Sequence, residues 1–362
     1  MATQEQLRLC RPRTFCDRKD VLNELNDAEL IKRYRLDREG ILFVTNLVRE
    51  TLARPTARKK ALTPEMKVII TLRFLATGEM QLCNSDDLGP SQQTVSRVIT
   101  ETLDALSSRP ILAQFIKFPI TPQETQRKKM EFVQIAGFPG VIGVIDGTHI
   151  RITAPKEFEA EYVNRKRYHS INTQIVFDAK YNIIDIVANW PGSVHDARIL
   201  NESGLNRFVF GRGMLPDGCH LLGDRGYPSK KWLLTPYLRP RPGPQSNYNK
   251  CHKKTRSVME RGIGQLKRRF HVLHGEIRVS PPAKVCMVIE VCAMLHNICK
   301  DRNIGIPVGE DYSNGEEEDY SNGEEDDDQQ PLEPPPQPAA ARPREGLLYR
   351  DQFVNVHFNN DE

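Results

Sequence analysis

An α/β fold is predicted: a mixed sheet flanked by helices, preceded by an all-helical N-terminal region. Three features of the sequence predict it. Residues 26–106 place apolar side chains at helical spacing, residues 141–223 hold short apolar or alternating runs, and helical spacing returns from about residue 250. Strands, a crossover helix, a further strand and then helices is an α/β order.

The helical region opens at Leu30, Ile31, Tyr34 and Leu36 and continues over residues 41–52. Thr63, Pro64 and Glu65 make a helix start, with a capping hydroxyl, a proline at the first turn and an acid for the dipole. The apolar run 66–75 follows and Gly78 closes it. After Asp86-Asp87-Leu88-Gly89-Pro90, Ser91 caps a helix over 92–106 with Val95, Val98, Ile99, Leu103 and Leu106 inside. A short helix, a glycine turn and a longer helix form a helix-turn-helix-like hairpin. Its outer face shows Gln92, Gln93, Ser96 and Arg97, residue types that read base edges and phosphates; an ordinary helical hairpin gives the same pattern. A charged helix over 123–135 ends at Gly137.

Residues 141–145 are continuously apolar, as in a strand covered on both faces, and residues 149–153 alternate. Strands follow over 171–177 and 183–188, joined by a turn at 178–182. Residues 192–200 read as helix, 220–223 as a short buried strand, and 236–244 as a proline-rich loop. A basic helix over about 250–270 and an apolar helix over 281–299 complete the body. The expected organisation is a polar arm (1–25), a helical domain (26–125), an α/β domain (140–303), a disordered acidic and proline-rich tail (304–345) and an amphipathic helix (346–358). The tail repeats Glu-Asp-Tyr-Ser-Asn-Gly-Glu-Glu at 310–317 and 318–325 and lacks the apolar residues to order itself. The final helix is expected to dock on the body or to bind a partner.

The net charge of +4 conceals two opposite halves. Residues 306–362 hold 16 acidic and 3 basic residues, which leaves 48 basic and 31 acidic residues in residues 1–305. A basic body predicts a polyanionic partner, most simply DNA. The first 30 residues are polar and no uninterrupted apolar run is long enough to span a bilayer, so no membrane association is expected. The eight cysteines form no Cys-x-x-Cys pair, which argues against a zinc ribbon and for free thiols. His296, Cys292 and Cys299 share one helix face, which reads as buried packing before it reads as a ligand set.

Three carboxylates sit against apolar elements. Asp146 follows the run 141–145, Asp224 follows the strand 220–223, and Glu260 lies in the basic helix. An ionised acid at a buried strand end needs a partner, and converging acids are best neutralised by divalent cations. Two such ions about 3.5–4 Å apart clamp the attacking and leaving oxygens of a phosphodiester displacement. Oxygen-only ligands favour Mg²⁺ or Mn²⁺ over zinc. On the basic helix Met259, Ile263, Leu266 and Phe270 form the packed stripe, and Arg256, Glu260, Gly264 and Lys267 the adjacent face. Arg256 and Lys267 there, with Arg97 on the hairpin, are the candidate nucleic-acid contacts. A solvated helix face pairing Glu260 with Arg256 is the plain alternative for that helix alone. His149, three residues beyond Asp146, has the type of a general base, though histidines so placed are more often structural.

Five motifs occur in order: Asp146-Gly-Thr-His149, Asn189-Trp-Pro-Gly-Ser-Val-His-Asp-Ala-Arg198, Gly223-Asp-Arg-Gly-Tyr-Pro228, Glu260-Arg-x-x-Gly-x-Leu-Lys-Arg-Arg-Phe270 and Cys292-Ala-Met-Leu-His-Asn297. Together they resemble the DDE nuclease of Harbinger-type transposases and the nucleases domesticated from them, over about residues 30–300. The 35 residues between Asp224 and Glu260 fit the interval of DDE enzymes. The resemblance implies an RNase H-like fold with Asp146 on its first strand, Asp224 after a later strand and Glu260 on the following helix. It implies a metal-dependent endonuclease with Asp146, Asp224 and Glu260 as catalytic residues and Asp196 as a fourth metal ligand. For Asp196 a helix N-terminal acid favouring the dipole is the equal alternative. It also implies two Mg²⁺ or Mn²⁺ ions, DNA as substrate, a Myb-like DNA-binding partner protein, and residence in nucleus and cytoplasm. The competing function is a DNA-binding scaffold that keeps the fold without cutting. Arg225 departs from the small or polar residue usual after the second aspartate, which places a cation beside Asp224.

Overall fold

The computed structural model describes residues 19–53, 61–307 and 344–359. Most of the arm (1–18) and of the acidic tail (308–343) lies outside the described residues.

The N-terminal half is helical as expected: α1 (Val21–Glu24), α2 (Asp27–Tyr34), α3 (Arg38–Leu52), α4 (Pro64–Thr77), α5 (Gln81–Leu88), α6 (Gln92–Leu106), α7 (Arg109–Phe115) and α8 (Pro122–Ala136). Local chemistry sets their ends. Thr63 accepts the Met66 N–H at 3.3 Å, Pro64 opens α4, and Gly78 at φ 68° closes it. Thr121 and Glu124 form a capping box on α8, and Gly137 ends it in the left-handed region. Ser91 stands at the start of α6, but its hydroxyl meets the Thr94 hydroxyl at 3.0 Å instead of capping a backbone N–H.

The sheet has five strands: β1 (Val141–Arg151), β2 (Ser170–Phe177), β3 (Ile183–Pro191), β4 (His220–Leu222) and β5 (Leu233–Leu234). Their spatial order is β3-β2-β1-β4-β5. β1, β2 and β3 pair antiparallel, and β4 and β5 join parallel on the far side of β1. The sequence suggested two strands broken at Asp146, whereas β1 runs straight through Asp146, Gly147 and Thr148. Pairing with β2 from Val144 to Arg151, with Asp146 opposite Ile175, holds the backbone whatever the side chain. The two-residue β5 had no sequence signal of its own.

Helix α9 (Asp196–Glu202) begins only at Asp196, since residues 192–195 form the turn after β3. α10 (Pro244–Arg269) starts six residues before the expected position, because Gly243 and Pro244 open a helix instead of ending a loop. α11 (Pro282–Asp301) is long and apolar enough to cross a membrane by length and composition, but it is a core helix with Val288, Val291, Cys292, Leu295 and Cys299 buried. In that helix His296 Nε2 lies 2.9 Å from the Tyr181 carbonyl and Asn297 bridges the backbone of Ile183 and Phe115. The last motif is therefore structural: it secures the β3 edge.

α12 (Arg344–His357) docks on the body. Phe353 stacks on Phe138 at 5.7 Å, the Tyr237 hydroxyl donates to Asp351 at 2.6 Å, and the Arg350 guanidinium lies 3.8 Å over the Tyr237 ring.

One apolar core runs from Leu30, Ile41 and Leu75 through α11 to the sheet face bearing Val144, Ile175 and Phe177. Ile142, Ile145, Val176, Ile184, Leu200, Leu221 and Leu233 fill the opposite face. Each such side chain, fully buried, stabilises the fold by about 1.5–3 kcal/mol. Both faces of β1 and β2 are thereby covered, and any acid on them sits in a desolvated place.

Candidate active site

Asp146 lies at the centre of β1, 5% exposed. Its Oδ1 accepts the Gly147 N–H at 2.8 Å and its Oδ2 accepts from Arg256 Nη1 of α10 at 2.8 Å. Burial pushes its carboxyl up to about 7, the Asp224 charge adds to this, and Arg256 opposes it. Asp224 follows β4, the parallel neighbour of β1, and its Oδ1 accepts the Gly226 N–H at 2.9 Å. Burial raises its carboxyl too, with Arg256 opposing, Asp196 adding to the rise and Arg225 lowering it. Arg225 itself is exposed. Its charge reaches Asp224 without covering it.

Asp196 is the first residue of α9. Asn172 of β2 donates to its Oδ1 at 2.8 Å and to the Val194 carbonyl at 2.8 Å, which ties the turn and the acid to the sheet. Gly147 makes room for it, because a Cβ there would overlap the Asp196 carboxylate. The Tyr227 hydroxyl, 3.5 Å from Gln174 Oε1, is raised well above the usual phenol range by burial and then by the charges of Asp196, Asp146 and Asp224. Asn172 Oδ1 and Gln174 Nε2 are buried with no hydrogen-bond partner.

The fold thus brings Asp146, Asp196 and Asp224 together. Glu260 is exposed on α10, one turn beyond Arg256, and the guanidinium instead of the glutamate meets Asp146. Lys267, further along α10, bears on His149. His149 Nδ1 lies 3.0 Å from Ser170 Oγ, and burial with the Lys267, Arg165 and Lys166 charges holds the ring down at about 4. It is neutral near neutral pH and packed in place. Arg97 belongs to another surface, an open cleft lined by Gln92, Gln93, Ser96 and Lys284, where it faces Glu101 at 3.8 Å. Sequence reasoning did not single out Gly147, Asn172, Gln174 or Tyr227. The consecutive polar residues Asn172, Thr173 and Gln174 inside the strand 171–177 were the available signal.

Among the described residues no three acid, histidine or cysteine side chains stand preassembled around one point. The donor chemistry nonetheless suits a divalent cation. Three carboxylates act on one another in a partly buried cluster that the Arg256 and Arg225 charges offset only in part, which suits a hard, oxygen-seeking ion.

A match to the DDE superfamily endonuclease family spans residues 145–297, from the middle of β1 to the end of the Cys-Ala-Met-Leu-His-Asn motif. "Putative nuclease HARBI1" of Mus musculus is 37% identical over 79% of this chain and 81% of its own length. The Homo sapiens protein of the same name is 36% identical over the same shares. "Protein ALP1-like" of Arabidopsis thaliana is 27% identical over 74% of this chain and 70% of its own. No solved structure matches. A DDE endonuclease domain holding the clustered aspartates, with identity to these nucleases along most of the chain, places the protein in the Harbinger transposase-derived nuclease family.

Proposed function

We propose that the chain is a metal-dependent DNA endonuclease that hydrolyses phosphodiester bonds on an RNase H-like domain. The observation that carries this reading is the convergence of Asp146, Asp196 and Asp224 from a central strand, a helix start and the end of the adjacent strand. The strand order β3-β2-β1-β4-β5, with Glu260 on the helix that follows, supports the fold assignment. Asp146, Asp196, Asp224 and Glu260 would hold Mg²⁺ or Mn²⁺, as a pair of ions in the two-metal arrangement. Bound there, the metal supplies Lewis-acid stabilisation of charge on the phosphate and activation of water.

The chain's own residues do the rest. Gly147 and Asn172 fix where Asp196 stands. Arg256 balances Asp146 and presents a guanidinium to a phosphate oxygen. The packing of β1 under α10 keeps bulk water from one side of the cluster, which strengthens every charge interaction in it. DNA is the substrate, a Myb-like protein supplies sequence recognition, and the protein works in nucleus and cytoplasm.

The second reading, a DNA-binding scaffold without cleavage, is favoured by the same Arg256–Asp146 ion pair, since an acid already neutralised by the protein has less need of a metal. Plasmid cleavage in Mg²⁺ or Mn²⁺ separates the two. Asp224→Asn is expected to lower the rate on the order of a hundredfold, as loss of several kcal/mol of charge stabilisation requires. Equal cleavage by both proteins, or none by either, removes the nuclease reading.

A further inference from the structure

The connection between β1 and β2 reaches its turn at three consecutive exposed cations, Arg165, Lys166 and Arg167. The turn is built from directed contacts. Buried Asn164 exchanges hydrogen bonds with it: the Asn164 N–H donates to the Tyr168 carbonyl at 3.0 Å, and the Arg167 N–H donates to the Asn164 carbonyl at 2.9 Å. The Asn164 side chain accepts the Tyr168 N–H at 3.2 Å and donates to Ser170 Oγ at 3.2 Å. Arg151 of β1 lies 4.6 Å over the Tyr168 ring. Arg167 sits at φ 63°, a region that costs a residue with a Cβ about 1 kcal/mol or more. Such strain at an exposed, charged residue is of the kind that clusters at functional sites.

These cations also lie beside the acid cluster. Arg165 donates to His195 Nδ1 at 2.7 Å, and His195 immediately precedes Asp196. Arg165 and Lys166, with Lys267 across from them on α10, stand close enough to His149 for their charges to oppose its protonation, and His149 is three residues along β1 from Asp146. The acids of the same connection, Glu157, Glu159 and Glu161, all precede the turn, and Glu159 pairs with His169 at 3.0 Å. A cluster of aspartates repels a polyanion, so a polyanionic substrate must be held by cations at its rim.

We propose that the Arg165-Lys166-Arg167 turn is a DNA phosphate-backbone contact that holds the strand flanking the scissile phosphate beside Asp146, Asp196 and Asp224. The proposal rests on the nuclease reading for its substrate. Its partner is the sugar–phosphate chain, so it confers position without base specificity.

The test is the salt dependence of binding to a labelled short DNA duplex, followed by fluorescence anisotropy with chelator present. Each lost phosphate contact removes about 0.9 from the log–log salt slope. Arg165→Gln with Lys166→Gln is expected to flatten the slope by about 2 and weaken low-salt affinity about tenfold or more. Thermal midpoint and Mn²⁺ binding should not change. Arg167→Gly removes the backbone strain together with one cation and should flatten the slope by about 1. Lys19→Gln with Lys117→Gln removes the same charge elsewhere and sets the background. A slope unchanged in folded turn variants, or changed only as much as in the background pair, overturns the proposal. Asp146→Asn distinguishes the two readings. It should bind with the full slope, so a chain that never cuts yet loses slope on turn substitution defeats the nuclease reading alone. Cleavage with a slope indifferent to the turn defeats the turn contact alone.

Discussion

Gly147 separates Asp146 from the space that Asp196 occupies, and a single added carbon there would meet the Asp196 carboxylate. Alanine in a paired strand is ordinarily neutral or slightly stabilising relative to glycine. The atom in its way is the end of a side chain, so the fold can yield and the acid must move. Gly147→Ala is therefore expected to leave the thermal midpoint unchanged or raised while Mn²⁺ affinity, measured by titration calorimetry, falls about 10–100-fold, the usual cost of disturbing a ligand's support. Unchanged Mn²⁺ affinity would show that Asp196 is not a ligand. Asp146 and Asp224 were legible because each follows an apolar run, whereas Asp196 was reached only through the resemblance of its motif. Asn172 and Gly147 were not legible, because their importance comes from register. Asn172 lies opposite His149, which brings its amide to an acid 24 residues away. No local pattern encodes that contact. Arg256 was chosen as a phosphate contact from its helix face, but that Asp146 is its partner depends on how α10 crosses β1.

At the scale of elements, most helices could be read from their caps and period, and the misreadings have two causes. Pairing with a distant segment overrides the local signal where β1 passes through Asp146, and turn residues that also suit a helix start hide the beginning of α10 inside a proline-rich stretch. For α12 the amphipathic pattern was visible and its docking place was not. That place is an aromatic bed of Phe138, His220 and Tyr248 met by Phe353 and Phe358. The bed shares α10 with the candidate site: Tyr248 meets Phe358, His252 packs against Tyr248 and Phe138, and Arg256 is one turn further on. Phe353 is 7% exposed at the centre of the contact. Phe353→Ala should cost about 3 kcal/mol by large-to-small truncation. Hydrogen exchange should accelerate first over residues 346–358, with α10 following at its N-terminal half. Exchange unchanged over α12 would mean that other contacts, such as the Arg350–Tyr237 stack, hold it.

Across the whole molecule, folding places imidazoles and acids alike where they resist taking their ordinary charge state. Burial holds His149, His220, His252 and His296 down at about 4. Their folded values lie below the unfolded value of about 6.5, so the unfolded chain takes up protons that the folded chain refuses. The stability they contribute is complete above pH 6.5 and is lost as pH falls toward 4. For the enclosed His220, His252 and His296 this amounts to about 3 kcal/mol each at the acid end. Buried carboxyls act in the opposite sense. Asp146 at about 7 and Asp185 at about 6, with Asp224 also raised, take up protons in the folded chain first and so gain stability on acidification. Glu290 and Asp301 are raised as well and His271 is lowered, so the two classes match in number. The four imidazoles held at about 4 decide the balance between pH 7 and 5.5, because each stays uncharged in the folded chain through the window in which the unfolded chain protonates it, at about 6.5, while Asp146 and Asp185 at about 7 and 6 offset only part of this. Urea unfolding in metal-free buffer should therefore show a lower midpoint at about pH 5.5 than at about pH 7. A midpoint equal or higher at the acid pH would mean that the carboxyls dominate, and that the negative charge of the cluster is a larger cost to the folded chain than the neutral histidines are.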